Sequence, residues 1–179
     1  MVKAVKTSVV LIGMPGAGKS TVGKLLVDPL GLPLVDTDEL IESMHNKSLQ
    51  SILDEDGYMA LRECEEGVLL SRQFNHCIVS TGGSAVYSAL AMEALKQDGV
   101  IVYLEVPVNT LLERIANFGD RGIARHPDQS FEHLFEERDR LYRQYADVTV
   151  NAAAGSANDV AVSLLEAIRP YLYASAVKS

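Results

Sequence analysis

The sequence predicts a three-layer α/β fold, in which helices cover both faces of a parallel sheet. Two observations support this prediction. Short segments rich in Val, Ile and Leu alternate along the chain with segments whose apolar residues recur at helical spacing. A glycine-rich segment, Gly13 to Ser20, stands between the first strand and the first helix of that series.

The elements follow one another in a regular order. The unbroken apolar run from Val9 to Ile12 predicts a short buried strand, and Thr21 to Leu26 are apolar at helical spacing. By the same criteria, strands are predicted at about 8–12, 33–36, 77–81, 100–105 and 147–151. Helices are predicted near 19–28, 38–44, 48–55, 57–72, 88–97, 108–117, 130–145 and 156–172.

One segment interrupts this order. Residues 117–129 contain two glycines and a proline with little periodicity, and they include Arg121 and Arg125. A connection of this length is often an active-site lid, and a plain surface loop is the alternative. We interpret residues 1–179 as a single domain, with 117–129 as the lid segment.

Composition limits the classes of function. The chain of 179 residues is 47% hydrophobic with a net charge of −8, which argues against nucleic-acid binding and leaves isolated arginines as candidate sites for a small anion. Cys64 and Cys77 are far apart, and the histidines lack metal-ligand spacing. No apolar run approaches the ~20 residues of a membrane span, and the N-terminus lacks a signal-peptide pattern. We therefore expect a cytoplasmic protein without membrane partners.

The glycine-rich segment reads GMPGAGKS, a complete G-x-x-x-x-G-K-[ST] phosphate-binding loop. Its glycines let backbone N–H groups and the helix N-terminus surround a phosphate, and Lys19 adds a positive charge for the outer phosphates. The Ser20 hydroxyl is placed to ligate Mg²⁺. An ordinary glycine-rich turn is the alternative. The residues expected to bind ATP here are Gly13, Gly16, Ala17, Gly18, Lys19, Ser20 and Thr21.

Two carboxylates stand at the end of the second predicted strand. Asp36 and Asp38 are two residues apart, so both side chains can face the crevice where ligands bind in open α/β sheets. One could hold a Mg²⁺-bound water, and the other could accept a proton from a hydroxyl nucleophile. Alternatively, Asp38 caps the helix that follows.

Three further groups lie later in the chain. Arg62 and Glu65 are three apart on a predicted helix and can pair, although a solvated helix face is the alternative. Gly82 and Gly83 follow a strand directly, which suggests close approach of a ligand to the backbone. Arg138 lies among charged residues for which surface ion pairs are the alternative.

Together, these motifs resemble those of the shikimate kinases, from Val9 to about Leu172. The resemblance implies a small kinase of the P-loop NTPase fold, with a five-stranded parallel sheet, a substrate-binding helical region at about 38–72 and a mobile lid. The implied reaction moves the γ-phosphoryl group of ATP to the 3-hydroxyl of shikimate, with Mg²⁺. We expect a monomer whose partners are ATP and shikimate.

The resemblance also implies roles for individual residues. Lys19, Asp38 and Arg121 are implied to be catalytic, with Asp38 as base and Arg121 closing with the lid. Ser20 and Asp36 would hold Mg²⁺, and Arg114 would pack near the adenine. The residues implied to bind the acceptor are Asp38, Arg62, Gly82, Gly83, Ser84 and Arg138, of which Arg62 and Arg138 would grip its carboxylate.

The departures from the family pattern lie near the acceptor. Ser84 replaces the third glycine of a triple-glycine loop and adds a hydroxyl that either stays clear of the ligand or reshapes the pocket. Gly122 follows Arg121 where the family usually has a proline, and Arg140 stands where a proline often follows Arg138. Two other functions therefore stay open: a related P-loop kinase with another hydroxylated anionic acceptor, and a nucleotide-binding module without phosphotransfer.

Overall fold

Five parallel strands form one sheet in the computed structural model, which describes residues 5–118 and 122–172. The strands are β1 (Ser8–Ile12), β2 (Leu34–Asp36), β3 (Ile78–Ser80), β4 (Gly99–Glu105) and β5 (Val148–Asn151). They lie in the order β2-β3-β1-β4-β5, and every neighbouring pair is parallel. The α/β class and the five predicted strands are confirmed.

The described helices also agree with the prediction, to within two residues at their ends. They are α1 (Lys19–Leu30), α2 (Thr37–His45), α3 (Leu49–Leu70), α4 (Ala89–Asp98), α5 (Val108–Phe118), α6 (Phe131–Tyr145) and α7 (Ala157–Leu172), with a short 3₁₀ helix at Ala85–Tyr87. The two helices predicted at 48–55 and 57–72 correspond to the two parts of α3, which are separated at the non-helical residue Gly57. Gly57 kinks α3 with a φ of 85°, a conformation that glycine adopts without steric cost.

The centre of the sheet is buried on both faces. Val9 and Val10 of β1 point to opposite faces, and both are fully shielded from solvent. Strand β4 is equally apolar and buried from Gly99 to Leu104. Such continuous apolar strands are typical of a parallel sheet with helices on both sides. Within the described ranges, no helix is both long and apolar enough to cross a membrane.

A second, smaller apolar cluster joins the predicted helical region to the lid segment. Ile41 of α2 and Ile52, Leu61 and Val68 of α3 pack with Ala124. The backbone N–H of Gly122 also donates a hydrogen bond to Gln50 Oε1, at 3.0 Å. The described part of the lid segment is therefore packed against α2 and α3. Arg121 lies outside the described residues, and the lid itself stays a prediction.

The strand order brings the predicted site together. Because β2, β3 and β1 are neighbours and parallel, their carboxyl ends meet at one edge of the sheet. The glycine-rich loop follows β1, Asp36 ends β2, and Ser80 ends β3.

Candidate active site

The glycine-rich loop connects β1 to α1 with three glycines at positive φ: Gly13 at 149°, Gly16 at 84° and Gly18 at 94°. A Cβ atom on Gly13 would also lie 2.8 Å from the carbonyl oxygen of Leu104. These positions need glycine because L side chains rarely adopt such backbone angles. The loop therefore has the conformation of a phosphate-binding turn, and α1 begins directly after it.

Lys19 is buried at the first position of α1. Its ammonium group donates to the carbonyl oxygens of Gly13, at 2.7 Å, and Met14, at 3.0 Å. Burial lowers the pKa of Lys19 to about 8, and the nearby carboxylates of Asp38, Glu65 and Asp36 oppose this shift.

Ser20 and Asp36 form the candidate metal site. The Ser20 hydroxyl donates to Asp36 Oδ2 at 2.6 Å and lies 3.2 Å from the Ser80 hydroxyl, a neighbour that the sequence analysis missed. Oxygen ligands with a single carboxylate fit Mg²⁺, which takes the rest of its shell from water and phosphates. Within the described ranges, no three His, Cys, Asp or Glu residues cluster to form a more complete site.

Asp36 also caps α2, because its Oδ1 accepts from the backbone N–H of Asp38 at 3.0 Å. The alternative prediction that Asp38 is the cap is therefore wrong, since Asp36 takes that position. The Asp38 side chain lines the cavities at the edge of the sheet.

Two adjoining cavities meet at Lys19 and Asp38. An open cavity of about 400 Å³ lies over the glycine-rich loop. A smaller and somewhat less open cavity of about 70 Å³, the enclosed cavity, lies beside it, with Ile123 and Ala124 of the lid segment in its lining. Lys19, Asp38, Pro15 and Ile123 line both. This arrangement suits two substrates that react where the cavities meet.

Arg114 and Thr21 line the open cavity, as do Gly16, Gly18 and Ser20. Arg114 Nη1 donates to the carbonyl oxygen of Gly16 at 3.0 Å. Gly13 and Ala17 belong to the turn without lining that cavity, and the N–H of Ala17 donates to Met14 O at 3.1 Å.

Asp38 has an unusually high pKa for a carboxyl group. Burial is the largest cause, and the negative charges of Glu65 and Asp36 add to it, so that the pKa rises to about 7 despite the nearby Lys19. A base with a pKa near neutrality can exchange a proton with a substrate hydroxyl at physiological pH.

Gly82 and Gly83 lie where side chains crowd the enclosed cavity. A Cβ atom on Gly82 would collide with Glu65 Oε1 and lie 2.9 Å from Asp38 Oδ1. A Cβ atom on Gly83 would lie 2.7 Å from Arg138 Nη1. Both glycines are therefore needed for close packing around the cavity.

Glu65 was expected to pair with Arg62, and this expectation is wrong. The Glu65 carboxylate is buried and accepts a hydrogen bond from the Ser84 hydroxyl through Oε2. Its Oε1 has no hydrogen-bond partner among the described residues. Burial raises the pKa of Glu65. The contact with Ser84 comes from another part of the chain, so helical spacing alone could not reveal it.

Arg138 is almost entirely buried, which rules out the surface ion pairs considered for it. Its Nη2 donates to the carbonyl oxygen of Ala124 at 2.7 Å, and its Nε donates to the Tyr87 hydroxyl at 3.4 Å. Arg138 lines the enclosed cavity. Arg140, by contrast, is exposed on α6.

Arg62 does not line the enclosed cavity. Its guanidinium carbon lies 3.6 Å from the ring centroid of Tyr87, and the side chain borders an open pocket of about 340 Å³ with Tyr58 and His126. The two arginines predicted to act together therefore both contact Tyr87.

Two tyrosines of this region were not identified from the sequence. Tyr87 contacts both arginines, and Tyr142 donates to the carbonyl oxygen of Gly83 at 2.6 Å. Tyr142 lies four residues after Arg138 on α6, so one helix face carries both. That spacing was a signal available in the sequence. Nothing in the sequence signals the contacts of Tyr87.

Comparisons with known proteins agree with this geometry. The family model described as shikimate kinase matches residues 15–169. The shikimate kinase of Halorhodospira halophila is 37% identical over 163 residues, covering 89% of this chain and 92% of that protein. The shikimate kinase of Sulfurihydrogenibium sp. is 33% identical over 166 residues, covering 90% of this chain and 98% of that protein.

Solved structures give the same result. A shikimate kinase from Acinetobacter baumannii, in complex with shikimate, superposes with a TM-score of 0.81 at 32% identity and covers 92% of this chain and 93% of that one. A deoxyadenosine kinase from M. mycoides, at 15% identity and a TM-score of 0.57, shares the fold alone. With its phosphate-binding loop and its matched length, this chain is a kinase that belongs to the shikimate kinase family.

Proposed function

We propose that this protein transfers the γ-phosphoryl group of ATP to the 3-hydroxyl of shikimate. The observation that carries the proposal is the meeting of two cavities at Lys19 and Asp38, one over the phosphate-binding loop and one beside Arg138. Family membership supports the same acceptor, because the relatives bear the name shikimate kinase and one was solved with shikimate bound.

On the nucleotide side, the loop from Gly13 to Gly18 would bind the phosphates through backbone N–H groups. Lys19 would leave its carbonyl partners Gly13 and Met14 for the β- and γ-phosphates and neutralise the charge that develops there. Arg114 would face the adenine, as the resemblance implies. The assignment of Arg121 to the transferred phosphate stays a prediction from the sequence.

Ser20 and Asp36 would hold Mg²⁺, which when bound neutralises phosphate charge and orients the γ-phosphoryl group. The support is the contact between Ser20, at the start of α1, and Asp36, at the end of β2, whose side-chain oxygen atoms lie 2.6 Å apart. Asp36 has a second function that does not depend on the metal, since it caps α2 and so fixes the backbone next to Asp38.

On the acceptor side, Arg138 would bind the carboxylate, and Asp38 would bind the reacting hydroxyl. Gly82 and Gly83 line the cavity that would hold the acceptor, and their lack of side chains leaves room there for Glu65 and Arg138. Arg62, which stacks on Tyr87, would add a second contact to the carboxylate.

The chemistry then follows from these positions. The 3-hydroxyl oxygen forms a bond to the γ-phosphorus, the bond from that phosphorus to the β,γ-bridging oxygen breaks, and ADP leaves. The hydroxyl proton passes to Asp38. The protein contributes mainly by holding the reactants in line and stabilising charge. The apolar side chains of Ile123 and Ala124, which line the enclosed cavity, would help to keep water, a competing acceptor, away from the γ-phosphoryl group.

We further propose that the protein acts in the cytoplasm as a monomer. Both cysteines, Cys64 and Cys77, are free, which suits a reducing compartment. Light scattering of the purified protein would test the monomer, and a dimer would contradict it.

The function is tested by a coupled ADP-release assay with shikimate and a panel of other hydroxylated acids. We expect ADP release with shikimate, a product phosphorylated at the 3-hydroxyl by ³¹P NMR, and loss of turnover in Lys19→Ala. ADP release with another acid and not with shikimate would contradict the proposed acceptor. ATP binding without turnover on any acid would favour a nucleotide-binding module.

A further inference from the structure

Tyr87 contacts both arginines of the acceptor side. It ends the 3₁₀ helix that follows the glycine pair and Ser84. The guanidinium carbon of Arg62 lies 3.6 Å from the centroid of its ring, and that of Arg138 lies 5.4 Å from the same centroid. Arg138 also donates from Nε to the Tyr87 hydroxyl, at 3.4 Å. One side chain therefore contacts both cations.

Two guanidinium groups so close to one ring repel each other, and Tyr87 offsets that repulsion in two ways. Its ring presents a negative π-face to Arg62. Its hydroxyl donates a hydrogen bond to Glu137 Oε1, so the lone pairs of the hydroxyl oxygen can accept the hydrogen bond from Arg138. Glu137 is itself fixed by Gln129 Nε2, which donates to Oε2 at 3.0 Å. Hydrogen bonds linked in this way strengthen one another.

Arg62 has one donor that the protein does not use. Its Nε is buried and lacks a hydrogen-bond partner among the described residues, while the side chain borders the open pocket beside Tyr58. A buried donor without an acceptor is a place where an anionic ligand gains a hydrogen bond that water or protein does not already make. A carboxylate is the acceptor that a guanidinium binds best.

We propose that Tyr87 is a positioning residue, which holds the guanidinium groups of Arg62 and Arg138 in the directions that select a carboxylate-bearing acceptor. The inference rests on the proposed function, because it takes shikimate as the acceptor. Without Tyr87, Arg62 would have to be ordered when the ligand binds, and ordering a long side chain weakens binding. Tyr87 would then contribute to acceptor affinity and to selectivity for the carboxylate without touching the reacting atoms.

The test uses Tyr87→Phe, which keeps the ring and removes the hydroxyl, and Tyr87→Leu, which removes both. Tyr145→Phe is the matched control, because it makes the same change on a partly buried tyrosine at the end of α6. Calorimetry in the presence of ADP would measure binding of shikimate and of its uncharged methyl ester, and steady-state kinetics would give both KM values and kcat.

We expect Tyr87→Phe to weaken shikimate binding about threefold, for the lost hydrogen bond that holds Arg138, and Tyr87→Leu about tenfold, for the lost ring as well. Methyl ester binding and the KM for ATP should stay within about twofold of wild type in both variants. Tyr145→Phe should match wild type. In an Arg62→Lys background, Tyr87→Leu should have a smaller effect than in wild type, because the two residues act through one contact.

Three outcomes would overturn the inference: unchanged shikimate binding in Tyr87→Leu, equal losses for shikimate and its ester, or full additivity with Arg62→Lys. A general loosening of the loop would raise the KM for ATP as well, which separates it from positioning. Thermal unfolding would identify a variant that fails to fold, and Tyr87→Phe then decides the result alone. If wild type itself does not bind shikimate, the proposed function fails instead.

Discussion

The hydroxyl of Ser84 donates a hydrogen bond to the buried carboxylate of Glu65. Ser84 stands where the family resemblance has a third glycine, and its φ of −102° is one that any residue adopts. The hydroxyl is therefore bonded to the protein, although the residue lines the enclosed cavity. This contact supports the first of the two alternatives for Ser84, in which its hydroxyl stays clear of the ligand. The serine would then not exclude shikimate.

Replacing Ser84 by glycine tests that interpretation. We expect Ser84→Gly to keep kcat/KM for shikimate within about threefold, because the hydroxyl binds Glu65 rather than the ligand. The free energy of unfolding should fall by about 1–3 kcal/mol, since Glu65 loses the partner of Oε2. Ser84→Ala is the control for the lost hydroxyl without added backbone freedom. An inactive wild type and an active glycine variant would show that Ser84 excludes shikimate.

Asp36 caps α2 and is also proposed to hold Mg²⁺. The substitution Asp36→Asn tests these two functions separately. Asparagine caps helices about as well as aspartate, so Asp36→Asn should leave the thermal stability nearly unchanged. Loss of the charge should raise the Mg²⁺ concentration needed for half-maximal activity about tenfold, the effect typical of a weakened metal ligand. The measurement is a Mg²⁺ titration of kcat at saturating ATP. An unchanged Mg²⁺ requirement would remove Asp36 from the metal site.

The phosphate-binding loop and the sheet could be predicted because their signals are local. Gly13 to Ser20 form a continuous motif, and each strand is an apolar run in a parallel sheet that is covered on both faces. The carboxyl-edge placement of Asp36 followed from the same reasoning, since parallel strands end at one edge.

The acceptor side was harder because its contacts join distant parts of the chain. The spacing of Arg62 and Glu65 allowed an ion pair, yet Glu65 bonds to Ser84, and Arg62 stacks on Tyr87. Arg138 lies in a charged helical stretch typical of a surface, but tertiary packing buries it. Such partners depend on how the loop after β3 meets α3 and α6, which no local pattern encodes.

The pH dependence of kcat/KM should report the ionisation of the Asp38 and Lys19 side chains. As the proposed base, Asp38 would accept a proton only when ionised, so activity should rise with pH through about 7, the pKa of its carboxyl group. In its proposed role, Lys19 would stabilise phosphates only when protonated, so kcat/KM for ATP should fall above about 8, its pKa in the free enzyme. Initial rates from pH 5 to 10 give the profile.

The two limbs of this profile can be separated by the choice of substrate. In kcat/KM for shikimate at saturating ATP, the descending limb should move to higher pH, because bound phosphates raise the pKa of Lys19. The charges of Lys19 and Asp38 interact with each other and with those of Asp36 and Glu65. The two limbs therefore report apparent pKa values that these residues share. An ascending limb near pH 4 would contradict the raised pKa of Asp38.

Asp38→Asn should stabilise the folded protein above neutral pH. The folded pKa of Asp38, about 7, exceeds the ordinary value of 3.8 for this carboxyl group, so the folded state binds the extra proton between these values. The free energy of unfolding therefore falls as pH rises through that window. Asparagine does not ionise, and the variant should gain on the order of 1 kcal/mol or more at pH 8, with the gain vanishing towards pH 4. Urea unfolding of wild type and Asp38→Asn at pH 4 and at pH 8 measures the difference in their free energies of unfolding. A difference that is the same at both pH values would contradict the raised pKa of Asp38.

Arg138 and Arg143 lie on the same helix and offer a matched pair for the acceptor contact. Arg138 is buried and lines the enclosed cavity, whereas Arg143 is half-exposed and donates to Asp139 at 2.8 Å. Arg138→Lys keeps the charge but loses the forked geometry that suits a carboxylate. The KM for shikimate should rise at least about tenfold, the effect of a lost charged hydrogen bond, while the KM for ATP stays within about twofold. Arg143→Lys makes the same change on the same helix and should leave both KM values near wild type. Equal increases for shikimate and ATP in Arg138→Lys, or an equal effect of Arg143→Lys, would assign Arg138 to the stability of α6 rather than to the acceptor.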